Sequence, residues 1–135
     1  MSLTLRVLAP DQSVFDGNAD EVILPSTSGQ MGILSGHVSM LTALDNGVLR
    51  LRSGNDWQSI ALMGGFAEVD ADEVTVLVNA AELGSGIDTA SAEQEFEAAR
   101  QAFSALEGQP TSPEKVKAQQ ALGRARARLQ ASRGS

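Results

Sequence analysis

The chain contains no cysteine and no tyrosine, has one histidine and one tryptophan, and has no apolar run approaching the roughly 20 residues of a membrane helix. Without cysteine there is no disulfide, no thiol redox chemistry and no thiolate metal site, which a reducing compartment accommodates. The N-terminus MSLTLRVLAP lacks the basic flank and the apolar stretch of a signal peptide. A soluble chain is therefore expected, held at a membrane only through a partner. Aromatic residues are 4% of the total, so a core has to come from Val, Leu, Ile and Ala, for which a hydrophobic content of 42% suffices. A length of 135 residues fits one domain with an appendage.

The constellations of catalysis are also missing. No serine stands in a glycine-any-serine-any-glycine elbow, and His37 has no second histidine to work with. A metal site at His37 would have to recruit carboxylates such as Asp20 or Glu21 through folding, because its own run, Ile33 to Leu44, has none. The glycines from Gly29 to Gly36 precede no Gly-Lys-Ser/Thr and are read as permitting tight turns. The residues alone give His37 two roles, a hydrogen bond within its own turn or a place at an interface.

What is present is a strong polarity of charge. Residues 1–88 hold twelve acids against Arg6, Arg50 and Arg52, whereas residues 109–135 hold Lys115, Lys117, Arg124, Arg126, Arg128 and Arg133 against Glu114. A basic arm on an acidic body fits docking on an acidic surface, on nucleic acid or on the chain's own acidic face. Nucleic acid is disfavoured by a pI near 4.5 and by the lack of any aromatic residue after Phe103 for stacking. Arg124, Arg126 and Arg128 also fit a solvated helix face, partly paired with Glu93, Glu95 or Glu97.

The hydrophobic period changes once. Up to about Ala81 it is two, in Leu3/Leu5/Val7, Val22/Leu24, Leu49/Leu51, Ile60/Leu62 and Val74/Val76/Val78. Turn chemistry falls at Asp16–Asn18, Ser26–Gly29, Asp45–Gly47, Ser53–Asp56 and Asp70–Asp72, and Gly64–Gly65 marks a bulge or a close backbone approach. This pattern predicts an antiparallel β-sandwich or flattened barrel over residues 1–84. Residues 85–135 read as an antiparallel two-helix hairpin. Ser91 and Gln94 form a candidate capping box, and Phe96, Ala99, Phe103 and Leu106 make one stripe. Ser112 and Pro113 start the second helix, whose stripe is Ala118, Leu122, Ala125 and Leu129. Its alanine-rich faces predict a hairpin that is marginal alone and can exchange its own contacts for a partner's.

The stretch Gly29–Gly47, with Gly29, Gly32, Ile33, Leu34, Gly36, His37, Leu41, Leu44 and Gly47 in order, resembles the signature segment of the epsilon subunit of F-type ATP synthases. Ser35 stands where many members carry proline. Gly64–Val69 and Val74–Leu77 are similar to the family's Gly-Gly-Phe and Val-Thr-Val strands, and the likeness covers nearly the whole chain. The resemblance implies a non-catalytic rotor subunit of the proton-translocating enzyme, without its own cofactor, metal or active site. It would couple the c-ring to the catalytic head, as a peripheral protein on the cytoplasmic or stromal side of an energy-transducing membrane, the thylakoid.

On that resemblance Gly29, Gln30, Met31, Gly32, Ile33, Leu34, Ser35, Gly36 and His37 contact the gamma subunit and the c-ring. Gln30 lacks the acid that some relatives carry. The face of Lys115, Lys117, Arg124, Arg126 and Arg128 would reach the beta and alpha subunits and restrain ATP hydrolysis. Some members bind ATP through Ile-Asp-any-any-Arg-Ala and arginines of the second helix. Glu82, Ile87 and Asp88 keep part of that motif, Arg124 and Arg128 keep a four-residue spacing, and Ser91 replaces the arginine, so weak or absent ATP binding is expected. Read from the residues alone, a ligand-sensing or nucleotide-sensing β-sandwich with a helical lid, or a solitary enzyme using His37, also remains open.

Overall fold

The computed structural model describes residues 2–134; Met1 and Ser135, the outer ends of the expected units 1–84 and 85–135, lie outside the described residues. Eight strands come first: β1 (Leu3–Ala9), β2 (Gln12–Ala19), β3 (Glu21–Ser26), β4 (Gly29–Leu34), β5 (Met40–Leu44), β6 (Gly47–Ser53), β7 (Asp56–Asp70) and β8 (Glu73–Leu83). A single 3-10 turn, Gly84–Gly86, leads to helices α1 (Thr89–Ser104) and α2 (Pro113–Arg133).

The strands pair in the order β2-β1-β8-β7-β5-β3-β4, with β6 bridging β3 and β7. Alternate residues point inward, as the period of two requires. Leu3, Leu5, Val7, Val22, Leu24, Leu49, Leu51, Ile60, Leu62, Val74 and Val76 are fully buried in one cluster, so the sheet folds over its own apolar face as a sandwich. One pair departs from the antiparallel pattern of the expected sandwich. β1 and β8 run parallel, with Leu5 opposite Val74 and Leu8 opposite Leu77. Parallel neighbours need a long connection, and here the whole intervening sandwich supplies it.

Two local expectations also change. Asp16–Asn18 is no turn: β2 runs through it at the sheet edge, pairing Asp16 with Arg6 and Gly17 with Leu5, and the chain reverses at Pro10–Asp11 instead. Polar residues on a solvated edge strand carry the same composition as a turn. The glycine-rich signature stretch is likewise not a loop throughout, since Gly29–Leu34 forms the opposite edge strand, β4.

Gly64 and Gly65 sit at φ 60° and 142°, in the region that side chains disfavour. Pairing with β8 keeps one register across them, from Met63 opposite Ala80 to Gly65 opposite Val78, so the pair serves close approach rather than a register-shifting bulge. A Cβ on Gly65 would overlap the Leu77 carbonyl oxygen and lie 2.8 Å from Val78 Cα. At this point β7 exchanges β6 for β5 as its neighbour.

The helices pack as a hairpin on the outer face of β6 and β7. Helix α1 starts one turn earlier than the capping-box reading placed it. Asp88 is the N-cap, and its carboxylate accepts from Ser91 N–H (3.3 Å) and Ser91 Oγ (2.7 Å). Helix α2 begins as expected, with Ser112 Oγ accepting from Lys115 N–H at 3.1 Å and Pro113 in the first position. Leu122, Ala125 and Leu129 are buried along the expected stripe, with Ala118 half-buried.

A second stripe of small residues went unread in the sequence. Ala127 and Ala131 of α2 pack with Ala61, Ile87 and Ala92 against the sheet. Gly84 makes this approach possible, because a Cβ there would overlap the Ala131 carbonyl oxygen and lie 2.9 Å from Ser59 O. Ser59 Oγ closes the seam by donating to Gly134 O at 2.9 Å. Gly65→Ala is expected to destabilise the sandwich by about 2–4 kcal/mol, combining left-handed strain with overlap. Gly84→Ala is expected to loosen only α2, leaving the melting temperature of the sandwich within about 2 °C. Thermal melts followed by hydrogen exchange distinguish the two, and equal effects on both units would contradict this separation.

Candidate functional site

The signature segment reaches across the sandwich. Along β4, Gly29, Gln30, Gly32 and Leu34 are exposed, Met31 is half-buried against the core, and Ile33 is fully buried opposite Val22. Ile33 thus anchors the strand and presents nothing to a partner. Beyond β4, Ser35 and His37 are half-buried and Gly36 is exposed at φ 87°.

Carboxylates from the β7–β8 turn hold this loop. Asp72 accepts from Gly36 N–H at 2.7 Å and from Ser35 Oγ at 2.9 Å, and Asp70 accepts from Ser39 Oγ at 2.7 Å. The turn itself is tight, with Ala71 and Asp72 at φ 50° and 63°. The Gly36 N–H and then the Ser35 hydroxyl favour the ionised form and hold the Asp72 carboxyl below its usual 3.8. His37 Nδ1 donates to Val38 O at 2.8 Å, which is the hydrogen bond within its own turn. Asp20 and Glu21 are engaged elsewhere, by Gly54 N–H and Arg52 respectively.

Beside this loop lies a bare apolar patch. Phe66 stands opposite Leu77 on β8, and Leu77 stands opposite Leu8 on β1. Leu41, Phe66 and Leu77 are 71%, 56% and 52% exposed and line a groove of about 230 Å³ with Glu68 and Thr75. These side chains occupy the outer face of β7 beyond the Gly64–Gly65 kink, whereas before the kink Ala61 and Met63 lie under the helices. One strand therefore has a covered half and a bare half.

Lys115, Lys117, Arg124, Arg126 and Arg128 do not share one face of α2. Residues two apart on a helix diverge by about 200°, so Arg126 projects on the opposite flank of the buried stripe from Arg124 and Arg128. Arg126 lies 6.0 Å from the Phe96 ring centroid and borders an open cleft of about 730 Å³ with Phe103, Val116 and Asn46. Lys115 Nζ donates to Gln109 O at 2.9 Å within the hairpin turn, and Lys117 and Arg124 are exposed. Arg128 sits where the sheet-facing and helix-facing stripes meet. Its Nε donates to Glu82 Oε1 at 2.7 Å and its Nη2 to Glu82 Oε2 at 3.2 Å, while Nη1 pairs with Glu95.

The residues of the incomplete nucleotide motif thus have structural work. Glu82 holds Arg128, Ile87 is buried in the helix–sheet core, and Asp88 caps α1 through Ser91. Glu82 first and Glu95 second hold the Arg128 guanidinium above its usual range. The expected partner Glu93 pairs with Arg133 at 2.7 Å, and Glu97 pairs with Arg100 on its own helix.

The similarity of this chain to known proteins runs over its whole length. The profile of the ATP synthase delta/epsilon chain β-sandwich domain matches residues 2–84, and that of the long α-helix domain of the same chain matches residues 85–133. The ATP synthase epsilon chain of Synechococcus sp. (strain CC9902) is 72% identical over 135 residues, covering 100% of this chain and 99% of that one. That of Synechococcus sp. (strain WH7803) is 74% identical over 133 residues, covering 98% of each, and that of Prochlorococcus marinus (strain MIT 9211) is 65% identical over 100% of both. Among solved structures, a chain of the Euglena gracilis mitochondrial ATP synthase (OSCP/F1/c-ring) aligns with a TM-score of 0.78 at 21% identity, covering 93% of this chain and 78% of that one. A chain of the Tetrahymena thermophila mitochondrial ATP synthase (central stalk/c-ring) aligns at 0.61 and 14%, covering 98% and 97%. At these identities the two structures show a shared fold.

Asp72→Gly keeps the positive φ accessible and removes the carboxylate. It is expected to leave the sandwich folded and to increase exchange at Gly36 N–H about tenfold, read by NMR. Because the folded carboxyl titrates below its usual 3.8, the clamp contributes fully above that value. Its contribution fades as pH falls through the depressed value. Unchanged Gly36 exchange in the variant would contradict the clamp.

Proposed function

The chain belongs with the epsilon subunits of F-type ATP synthase, in the delta/epsilon chain family, and is a non-catalytic central-stalk subunit, and we propose that its two units divide docking from regulation. Residues 1–84 form the docking unit. Its apolar patch, Leu41, Phe66 and Leu77, seats on the gamma subunit, and its β4 edge with the adjoining loop meets the c-ring. The bare half of β7 carries this reading, because contiguous exposed apolar surface beside a carboxylate-clamped loop is what a permanently buried interface requires.

Within the signature segment, the exposed Gln30, Gly32, Leu34 and Gly36 are the contacting positions, together with Gly29, Ser35 and His37 at its ends. Met31 and Ile33 hold the strand to the core. Gln30 makes the ring contact neutral at that point. The complex is membrane-associated, and this chain faces the stromal or cytoplasmic side of a thylakoid without a spanning segment of its own. No helix of the described residues is long and apolar enough to cross a membrane.

Residues 85–135 regulate. Released from the sandwich, α2 presents Lys117, Arg124 and Arg128 on one flank and Lys115 and Arg126 on the other, and docks electrostatically on acidic loops of the beta and alpha subunits. That contact obstructs rotation in the direction of ATP hydrolysis. ATP itself is not a ligand of the folded hairpin, since Ser91 supplies no guanidinium and the Arg128 donors are taken by Glu82 and Glu95.

Reconstitution with a head of alpha, beta and gamma subunits tests the division. The full chain and a chain ending at Gly86 are expected to bind gamma with affinities within about threefold of each other, and only the full chain lowers ATPase activity. Phe66→Asp with Leu77→Asp is expected to weaken binding by about tenfold or more, on the order of 1.4 kcal/mol. Unaltered binding by that double variant would remove the patch as the docking face, and absence of binding by any form would remove the proposal.

A further inference from the structure

The ion pairs of Arg6, Arg100 and Arg133 are solvent-exposed, and Arg52, 29% exposed, pairs with Glu21 on the neighbouring strand. These pairs stay within the sheet or within the hairpin. Arg128 differs in linking the two units. Its side chain is 23% exposed, and it joins α2 both to strand β8 through Glu82 and to α1 through Glu95. The Glu82 contact uses both carboxylate oxygens in the paired-fork geometry that guanidinium favours.

The surroundings make this cluster matter. Around it the hairpin meets the sheet through a seam in which four of six buried side chains are alanine, Ala61, Ala92, Ala127 and Ala131, each stabilising little individually, beside Ile87 and Leu129. The two carboxylates also have opposite consequences with and without the guanidinium. With Arg128 between them they bind α1 and β8 to α2; without it they stand as like charges across the seam. Arg124, one turn back, borders the same groove beside Glu82 and makes no ion pair among the described residues.

We propose that Glu82, Arg128 and Glu95 form an electrostatic clasp that holds the hairpin folded on the sandwich, and that opening it transfers the Arg128 guanidinium from its own carboxylates to those of a partner. The inhibitory arm is thereby kept inactive by the same charge it uses to act. This inference rests on the regulatory reading above for its second half, while the clasp itself belongs to the isolated chain.

The test uses the full chain with Glu95→Gln, with Glu82→Gln/Glu95→Gln, and with Arg128→Gln. Hydrogen exchange of α1 and α2 is measured at about 0.05 M and 1 M salt. At low salt the double carboxylate variant is expected to exchange its helix amides about threefold to tenfold faster, with the sandwich unchanged. Arg128→Gln is expected to exchange faster still, because it leaves Glu82 and Glu95 unneutralised. At 1 M salt, where screening acts within about 3 Å, the differences shrink towards unity. Helix exchange unaltered at low salt, or differences that persist undiminished at high salt, would overturn the clasp whatever the subunit's wider role. The same variants are then added to the assembled head, where Glu82→Gln/Glu95→Gln is expected to inhibit ATPase more strongly than the unaltered chain. Faster helix exchange without added inhibition would leave the clasp standing and overturn the transfer to a partner.

Discussion

The placement of the hairpin follows from one close approach, where the backbone of α2 at Ala131 meets Gly84 at the end of the sheet with no room for a side chain. Glycine at that position lets the helix lie against β6 and β7, and an alanine-rich cluster, Ala61, Ala92, Ala127 and Ala131 with Ile87 and Leu129, keeps it there. A seam of this kind is close-fitting but shallow. The sandwich core is made of Leu, Ile and Val side chains contributing about 1.5–3 kcal/mol each on burial, whereas the seam is made largely of methyl groups. Two units of unequal strength on one chain are the expected consequence, which suits the proposed division of docking from regulation.

Strand β7 expresses both roles. Before Gly64 its outer face is the floor of the seam; after Gly65 its outer face is the bare patch of Phe66 with Leu77 and Leu41. The kink changes its neighbour from β6 to β5 and separates the two surfaces. The clamp of Asp70 and Asp72 on Ser35, Gly36 and Ser39 then fixes the signature loop at the far end of the same strand. The bare patch, the clamped loop and the helix seam thus all adjoin a single strand, β7.

The fold class was legible because period-two alternation in Leu3/Leu5/Val7 or Val74/Val76/Val78 is local, and the helical stripe of Leu122, Ala125 and Leu129 equally so. The parallel pairing of β1 with β8 was not, since it joins residues about seventy positions apart and leaves no local mark. The polar edge at Asp16–Asn18 imitated a turn. The seam was missed because alanine signals weakly in any hydrophobic pattern. The signature segment was visible as a motif, yet its division into buried Ile33 and exposed Gln30 or Leu34 needed the strand pairing. Arg124, Arg126 and Arg128 read as one basic stripe, but helical geometry places Arg126 apart. Of the partners of Arg128, Glu95 was among the carboxylates the sequence offered on the neighbouring helix, whereas Glu82, 46 residues away on β8, lay beyond any spacing argument.

Native-state hydrogen exchange on the unmodified full chain tests most directly whether the hairpin is a detachable element on a stable base. Amides of α1 and α2 are expected to exchange at least about a hundredfold faster than those of Leu5, Leu51, Ile60 and Val76 in the sandwich core, through openings that leave the core protected. Equal protection of helices and core, lost together in one cooperative opening, would contradict the account.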